Sequence, residues 1–352
     1  MAVTRQKVIM GEISTIKDSK DFYENRYAHG YMEEWSDDKK TRVYDVIKNL
    51  NLPDIGDALD FGCGNGICTS VLKRALPGWN IFGCDISEIA IKNATERISN
   101  CKFFVNGDMK YRNRKFDFVF THHVLEHVFD IGTAVQQITE WANNDSSMLH
   151  ICPCGNRGSF EYRICDLRID GINKEMENRF FFEDEGHRRR MTTEGMRRLW
   201  STHDFYITNA YYGNQFLGAI NWISKSDLEI ILKMINPMKG KDIKSKLMLS
   251  AMAMVLLLLK ILRMPNFLYD KLTRRIHSSR ENDFWLALLS IFLFPVAISK
   301  LIDACLESLA EGEWRQSKSH ESGSEMYLFF AKRQVLQQNC VGNPAQGVSI
   351  GE

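Results

Sequence analysis

The chain has 352 residues, 44% of them hydrophobic, with 45 basic and 44 acidic side chains. That is enough for one large domain with an insertion or for two domains. The charge balance excludes the strong basic excess of a nucleic-acid-binding surface, so no nucleic-acid partner is expected.

Residues 19–50 read as helical, because "DKKTRVYDVIKNL" puts Val43, Val46, Ile47 and Leu50 on one face. Pro53 and Gly56 punctuate its end. Short apolar runs then alternate with helical segments. "DALDF" (57–61), "NIFGC" (80–84), "KFFV" (102–105), "FDFVFT" (116–121) and "SMLHIC" (147–152) are predicted strands. Between them, 67–76, 87–98 and 133–142 are predicted helices, the second starting at Ser87 with Glu88 in its first turn. Such alternation implies a parallel sheet covered on both faces. Residues 158–190 carry few helix signals and read as a long loop or partial lid. A capped helix at 192–200 and strands at 205–213 and 325–333 follow.

Nine cysteines are present, several within apolar strand-like runs. The odd count without a framework spacing implies buried free thiols in a reducing compartment. "CPC" at 152–154 has no partner pair at zinc-like spacing, so no metal is expected. The N-terminal stretch has no long apolar core of the secretory type, which gives a cytoplasmic expectation. The tail, 336–352, is expected to be flexible.

The most informative stretch is "LDFGCGNG" (59–66), with Gly62, Gly64 and Gly66 directly after a strand. Glycine there permits positive φ and close approach of a ligand to backbone. A dinucleotide fingerprint needs a glycine where Ile67 stands, and no Gly-Lys-Ser/Thr follows for a P-loop. The stretch resembles motif I of the class I S-adenosylmethionine-dependent methyltransferases, D-x-G-x-G-x-G, as "DFGCGNG". Three further segments agree in order: "FGCDIS" (82–87), "VNGDM" (105–109) and "FDFVFTHHVLEHV" (116–128). The last resembles the small-molecule branch, with its L-E-H segment after strand four.

The resemblance implies a doubly wound, mostly parallel, seven-stranded α/β sheet of Rossmann-like type. It implies S-adenosylmethionine as cofactor, held by Asp60, Gly62, Cys63, Gly64, Asn65, Gly66, Asp85, Ile86, Asp108, Met109 and His122. Asp85 would accept from ribose hydroxyls, Asp108 would face the adenine amino group, and Met109 would pack near the ring. His123, His127 and Glu126 are the candidate catalytic groups, since imidazole suits a general base for a hydroxyl acceptor. In the bland reading, this Glu and His brace a helix start. His187 is a further candidate catalytic group, and Arg188, Arg189 and Arg190 beside it are candidates to contact an anionic group of the substrate. The chain departs from the family pattern where "NNDSS" replaces a glycine pair before strand five. It departs again where Asp204 replaces the glycine usual before strand six.

The expected organisation is an N-terminal cap (1–52), a methyltransferase core (53–213 with 325–335) and a helical apolar insertion (214–324) between the last two strands. The insertion holds "LMLSAMAMVLLLLKILRM" (247–264) and "FWLALLSIFLFPVAISKLI" (284–302), apolar around the whole circumference. Their uncharged cores fall short of the about 20 residues of a bilayer span. Three readings fit: a hairpin in one membrane leaflet, a bundle buried against the core or in a homodimer, or a tunnel for a lipid-like acceptor. The activity expected is methyl transfer, with O-methylation favoured, to a small-molecule, lipid-linked or glycan acceptor. The rivals are a membrane-tethered non-catalytic cofactor-binding protein and an NAD-dependent oxidoreductase.

Overall fold

A computed structural model describes residues 15–32, 35–276 and 293–332. Helix α1 (Ile16–Ala28) is opened by Thr15, whose hydroxyl accepts from the Asp18 N–H. Helix α2 (Asp37–Lys48) is opened in the same way by Ser36 and buries Val43, Val46 and Ile47, the face seen in the sequence.

Strands β1 (Asp57–Phe61), β2 (Asn80–Asp85), β3 (Lys102–Val105), β4 (Phe116–His122), β5 (Ala142–Pro153), β6 (Phe205–Gly213) and β7 (Glu325–Lys332) form one sheet in the order β3-β2-β1-β4-β5-β7-β6. The β1–β2, β1–β4, β2–β3 and β4–β5 pairs are all parallel. Helices α3 (Ile67–Ala75), α4 (Glu88–Arg97) and α5 (Ile131–Trp141) make the crossovers. Their buried apolar stripes cover strands that read as continuous apolar runs. The strand order reverses at β1, so the carboxyl ends of β1 and β4 open a crevice, the usual ligand position in such sheets.

Both departures from the family pattern have a local structural expression. "NNDSS" lies where the β4–β5 register shifts between Phe116 and Phe118. Asp204 has a φ of 61°, the left-handed conformation that glycine adopts freely and that Asp tolerates better than most residues. One expectation is corrected. The segment read as a loop contains helix α6 (Phe160–Leu167), whose N-cap Ser159 accepts from the Tyr162 N–H and whose Phe160 and Ile164 are buried one turn apart. A two-residue antiparallel hairpin, Ile172–Asn173 with Arg179–Phe180, follows it.

Contacts divide the chain into two compact units. Of the described residues, the first comprises those up to 152 with 194–209 and 327–332, and the second those in 153–193 and 210–326. After α7 (Thr193–Ser201), the second unit carries α8 (Leu217–Lys225), α9 (Leu228–Met234), α10 (Ile243–Ile276) and α11 (Leu293–Ser317). Its apolar core joins Phe160, Ile164, Ile223, Ile231, Leu249 and Leu256. Residues 284–292 of the second apolar stretch lie outside the described residues.

Candidate functional site

The first unit contains a cavity of about 230 Å³ at the carboxyl ends of β1, β2 and β4. Its floor is the turn after β1. Gly62, Gly64 and Gly66 have φ values of 76°, 51° and 81°, so each needs the conformational freedom of glycine. Protein side chains press on all three. A Cβ on Gly62 would stand 2.5 Å from Val124 Cγ2, one on Gly64 2.7 Å from the Tyr27 hydroxyl, and one on Gly66 2.6 Å from Ile98 Cδ1. The turn is tied to β2, because the N–H groups of Gly62 and Cys63 both donate to the Cys84 carbonyl, at 2.8 and 2.9 Å.

Asp85 ends β2 and is buried. One carboxylate oxygen accepts from the Gly64 N–H and the other from the Ser87 N–H, each at 3.0 Å. A carboxylate offers about four lone-pair sites, so two more donors can be accommodated. Burial raises its pKa, against the pull of those N–H groups. Asp60 sits beside it, buried, taking a 2.6 Å hydrogen bond from the Thr69 hydroxyl. Burial, helped by the Asp85 charge, lifts the Asp60 carboxyl to about 7. Two buried carboxyls in one cavity make it attractive to a cationic, hydroxyl-bearing ligand. Loop glycines, a strand-end acid and a half-open cavity together fit an adenosyl cofactor carrying a sulfonium.

The roof comes from the N-terminal segment. Tyr23, Tyr27, Tyr31 and Trp35 line the cavity. Burial, reinforced by the charge of Asp85, pushes the Tyr27 phenol well above its usual pKa. Two ties hold the cap down. Asn65 donates to the carbonyls of Tyr31 and Met32, at 3.0 and 3.4 Å. Glu24 accepts from the Ser87 hydroxyl and from the N–H groups of Glu88 and Ile89, at 2.8, 2.7 and 3.2 Å. A carboxylate from α1 therefore caps the N-terminus of α4, where the helix dipole favours negative charge. Burial opposes that charge, but the donated hydrogen bonds outweigh it and lower the Glu24 pKa.

The segment after β4 forms the third wall. His122, His123 and His127 all line the cavity. His123 has a φ of 53°, an uncommon conformation for a side-chain-bearing residue. Its Nδ1 lies 3.0 Å from Oε1 of Glu126, which is fully buried. The Trp35 ring packs edge-on to His122 at 4.4 Å between centroids and lies 5.7 Å from His123. His127 meets the edge of Tyr23 at 5.8 Å.

Asp60, Gly62, Cys63, Gly64, Asp85, Ile86 and His122 are thus brought together. Asn65 lines the same cavity, but its side chain is spent on the cap. Gly66 opens α3 as its left-handed N-cap. Asp108 and Met109 stand elsewhere. Asp108 is exposed and caps a short 3₁₀ turn by accepting from the Lys110 N–H, and Met109 is 69% exposed. Asn106, hydrogen-bonded to Gln137, takes the cavity-lining position near β3. In the second unit, Arg189 pairs with Glu177, and Arg190 is buried between Glu161 and Glu183. His187 Nδ1 lies 3.6 Å from Glu183. The cap aromatics went unnamed in the sequence reading, although Tyr23, Tyr27 and Tyr31 recur every four residues.

Residues 26–210, just over half of the chain, match the family model for a methyltransferase domain. The chain is 26% identical over 97 residues to a trans-aconitate 2-methyltransferase of Variovorax paradoxus, covering 27% of this chain and 38% of that protein. It is 24% identical over 103 residues to a ribosomal protein L11 methyltransferase of Ruminiclostridium cellulolyticum, covering 27% and 32%. The matched stretch spans only about a third of these curated relatives. Among solved structures, coclaurine N-methyltransferase bound to N-methylheliamine and S-adenosylhomocysteine matches with a TM-score of 0.42 and 13% identity, covering 84% of this chain and 73% of that one. An S-adenosylmethionine-dependent methyltransferase from Clostridium acetobutylicum matches with a TM-score of 0.39 and 17% identity, covering 53% and 90%.

Proposed function

Because the chain belongs to the S-adenosylmethionine-dependent methyltransferases, we propose that it methylates a hydroxyl oxygen of a small-molecule, lipid-linked or glycan acceptor, with His123 as the general base. The observation that carries this reading is His123 in the cavity wall, its Nδ1 3.0 Å from the buried Glu126 carboxylate behind it. The bound cofactor supplies an activated methyl on a sulfonium, so the protein's tasks are alignment, exclusion of water and removal of one proton. Gly62, Gly64, Asp60 and Asp85 hold the cofactor, and the tyrosines and Trp35 of the cap exclude water.

His123 Nδ1 lies 3.0 Å from the Glu126 carboxylate, so the Nδ1–H tautomer would leave Nε2 to accept the proton. Glu126 orients the ring and stabilises the imidazolium that forms, a positioning role. The acceptor O–H bond breaks toward Nε2. Residues Gly62, Gly64, Asp60 and Asp85 would hold the cofactor, whose sulfonium would supply the methyl group to that oxygen and leave as the neutral thioether. The positive φ of His123 supports a functional position, since strained backbone concentrates at sites where geometry matters.

The test is methyl-label transfer across a panel of hydroxyl-bearing lipids, glycans and small molecules, with products identified by mass spectrometry. The decisive variant is His123→Asn, because asparagine tolerates the left-handed backbone. It is expected to lower kcat by about 10²–10⁴-fold while leaving cofactor affinity in place. An N- or C-methylated product, or an unchanged kcat in the variant, contradicts the proposal.

A further inference from the structure

We propose that the outward faces of α10 and α11 form a docking surface for the anionic face of a lipid bilayer, on which the protein lies without crossing it. The proposal concerns the second unit and does not rest on the acceptor chemistry above.

Helix α10 has two unlike faces. At helical spacing, Leu249, Leu256 and Arg263 point inward and are buried. The opposite face carries Leu247, Met254, Val255, Leu258, Ile261 and Leu262, with Met254 71%, Leu258 57% and Ile261 60% exposed. This row runs for about 23 Å along the helix, and Ser250 at its edge turns its hydroxyl back onto the Lys246 carbonyl. Helix α11 repeats the pattern. Val296 and Ser299 are buried, whereas Phe294 is 76% and Leu301 71% exposed, with Ile298 and Cys305 on the same side. The two helices are locked together on their inner sides. Arg263 pairs with Asp303 and donates to the Asn221 carbonyl, Asn266 donates its side-chain amide to Asp303, and its backbone N–H donates to Ser299. Each of the two packed helices therefore carries an exposed apolar row on the side away from their shared contact.

Residues Ile243–Asn266 are long and apolar enough to cross a membrane by length and composition. The inner face decides against crossing. It supplies Leu249 and Leu256 to the core of its own unit and buries the Arg263–Asp303 pair, so one face of the helix is committed to protein. A helix with one apolar face open and the other committed to protein lies in the interface.

Charge selects the bilayer over a second copy of the chain. Lys244 and Lys246 are exposed where the α10 row begins, and exposed Lys300 flanks the α11 row, its ammonium 5.6 Å from the Tyr269 ring centroid. Among the described residues, Asp303 pairs with Arg263 and Glu307 with Lys225, which leaves Asp242, an acceptor for the Ser245 N–H, beside Lys244. A two-fold dimer sets the same patch against itself, and the described edge at the start of α10 is net basic, with Lys244 and Lys246 against Asp242. Anionic headgroups answer them directly, while the Leu, Met and Phe side chains enter the acyl boundary.

The test is flotation of the purified full chain with vesicles of phosphatidylcholine alone and of phosphatidylcholine with phosphatidylserine. The wild type is expected to float with the mixed vesicles. Leu258→Glu combined with Leu301→Glu is expected to reduce partitioning by at least about tenfold. Lys244→Gln or Lys246→Gln is expected to weaken binding about fivefold, on the anionic vesicles only. These positions are exposed, so circular-dichroism melting and S-adenosylhomocysteine binding should stay at wild-type values. Wild-type protein that stays in the soluble fraction with both vesicles overturns the proposal. So does a wild-type dimer, split by the paired glutamates, that ignores vesicles, which would give the surface to a second copy.

Discussion

Replacing Asp60 by Asn should make this protein more stable at slightly alkaline pH. The Asp60 carboxyl is buried, receives one hydrogen bond from Thr69 and feels the Asp85 charge, which together put its pKa at about 7 against 3.8 for an unperturbed group. The folded state therefore favours the protonated acid. For this group, stability is fully present below the unfolded value and is lost as pH rises toward about 7. A difference of roughly three units at 1.36 kcal/mol each is a loss of about 4 kcal/mol above that pH. Asn cannot ionise and keeps a carbonyl for Thr69, at a cost of about 1 kcal/mol for the weaker hydrogen bond. The variant should thus be about 3 kcal/mol more stable than wild type at about pH 8, with the advantage shrinking about 1.4 kcal/mol per unit as pH falls toward 5. Urea denaturation across that range, with m unchanged, measures it. An advantage independent of pH, or a variant less stable at about pH 8, refutes the reasoning. The retained charge has a functional counterpart. Asp60→Asn should weaken binding of cationic S-adenosylmethionine about tenfold more than that of uncharged S-adenosylhomocysteine.

Two further outcomes follow from the cavity walls. Gly64→Ala puts a Cβ 2.7 Å from the Tyr27 hydroxyl on a backbone with φ of 51°, and should cost about 1–2 kcal/mol from the backbone alone, read as a lower thermal midpoint. It should also lift the cap and weaken cofactor binding, which calorimetry reads. Glu24→Gln removes the negative cap from α4 and should weaken cofactor binding about tenfold while leaving the far end of the sheet unchanged in hydrogen exchange. Because the Glu24 pKa is lowered, its contribution is present above the usual glutamate range and fades as the solution is acidified, so the two proteins should converge at low pH.

The sheet was legible because its signals are local: apolar runs of strand length, glycines at the turn after β1 and an acid closing β2. The role of those glycines was only half legible. Positive φ follows from the motif, but the groups that crowd Gly62 and Gly64, Val124 and Tyr27, come from distant parts of the chain. The cap was hidden for the same reason, since the contact of Glu24 with the start of α4 spans 64 residues. Asp108 carries a local role that the family pattern did not announce: exposed after β3, it accepts from the backbone N–H two residues on, short-range capping that aspartate favours. Helix α6 was missed because eight residues in a polar, aromatic segment give little periodicity; Ser159 with Phe160 and Ile164 was the available cue. The inward face of α10 was invisible, because a helix apolar all round does not say which half meets protein.

The most direct test is calorimetric titration of the purified protein and of its Asp85→Ala variant with S-adenosylhomocysteine, with NAD as a control ligand. Asp85 is buried between the glycine turn and the start of α4, so its removal strips the cavity of the acid that ribose hydroxyls would meet. The account predicts binding by the wild type, loss of about 2 kcal/mol or more in the variant, and no NAD binding by either. Equal affinity of the two proteins for S-adenosylhomocysteine would contradict it.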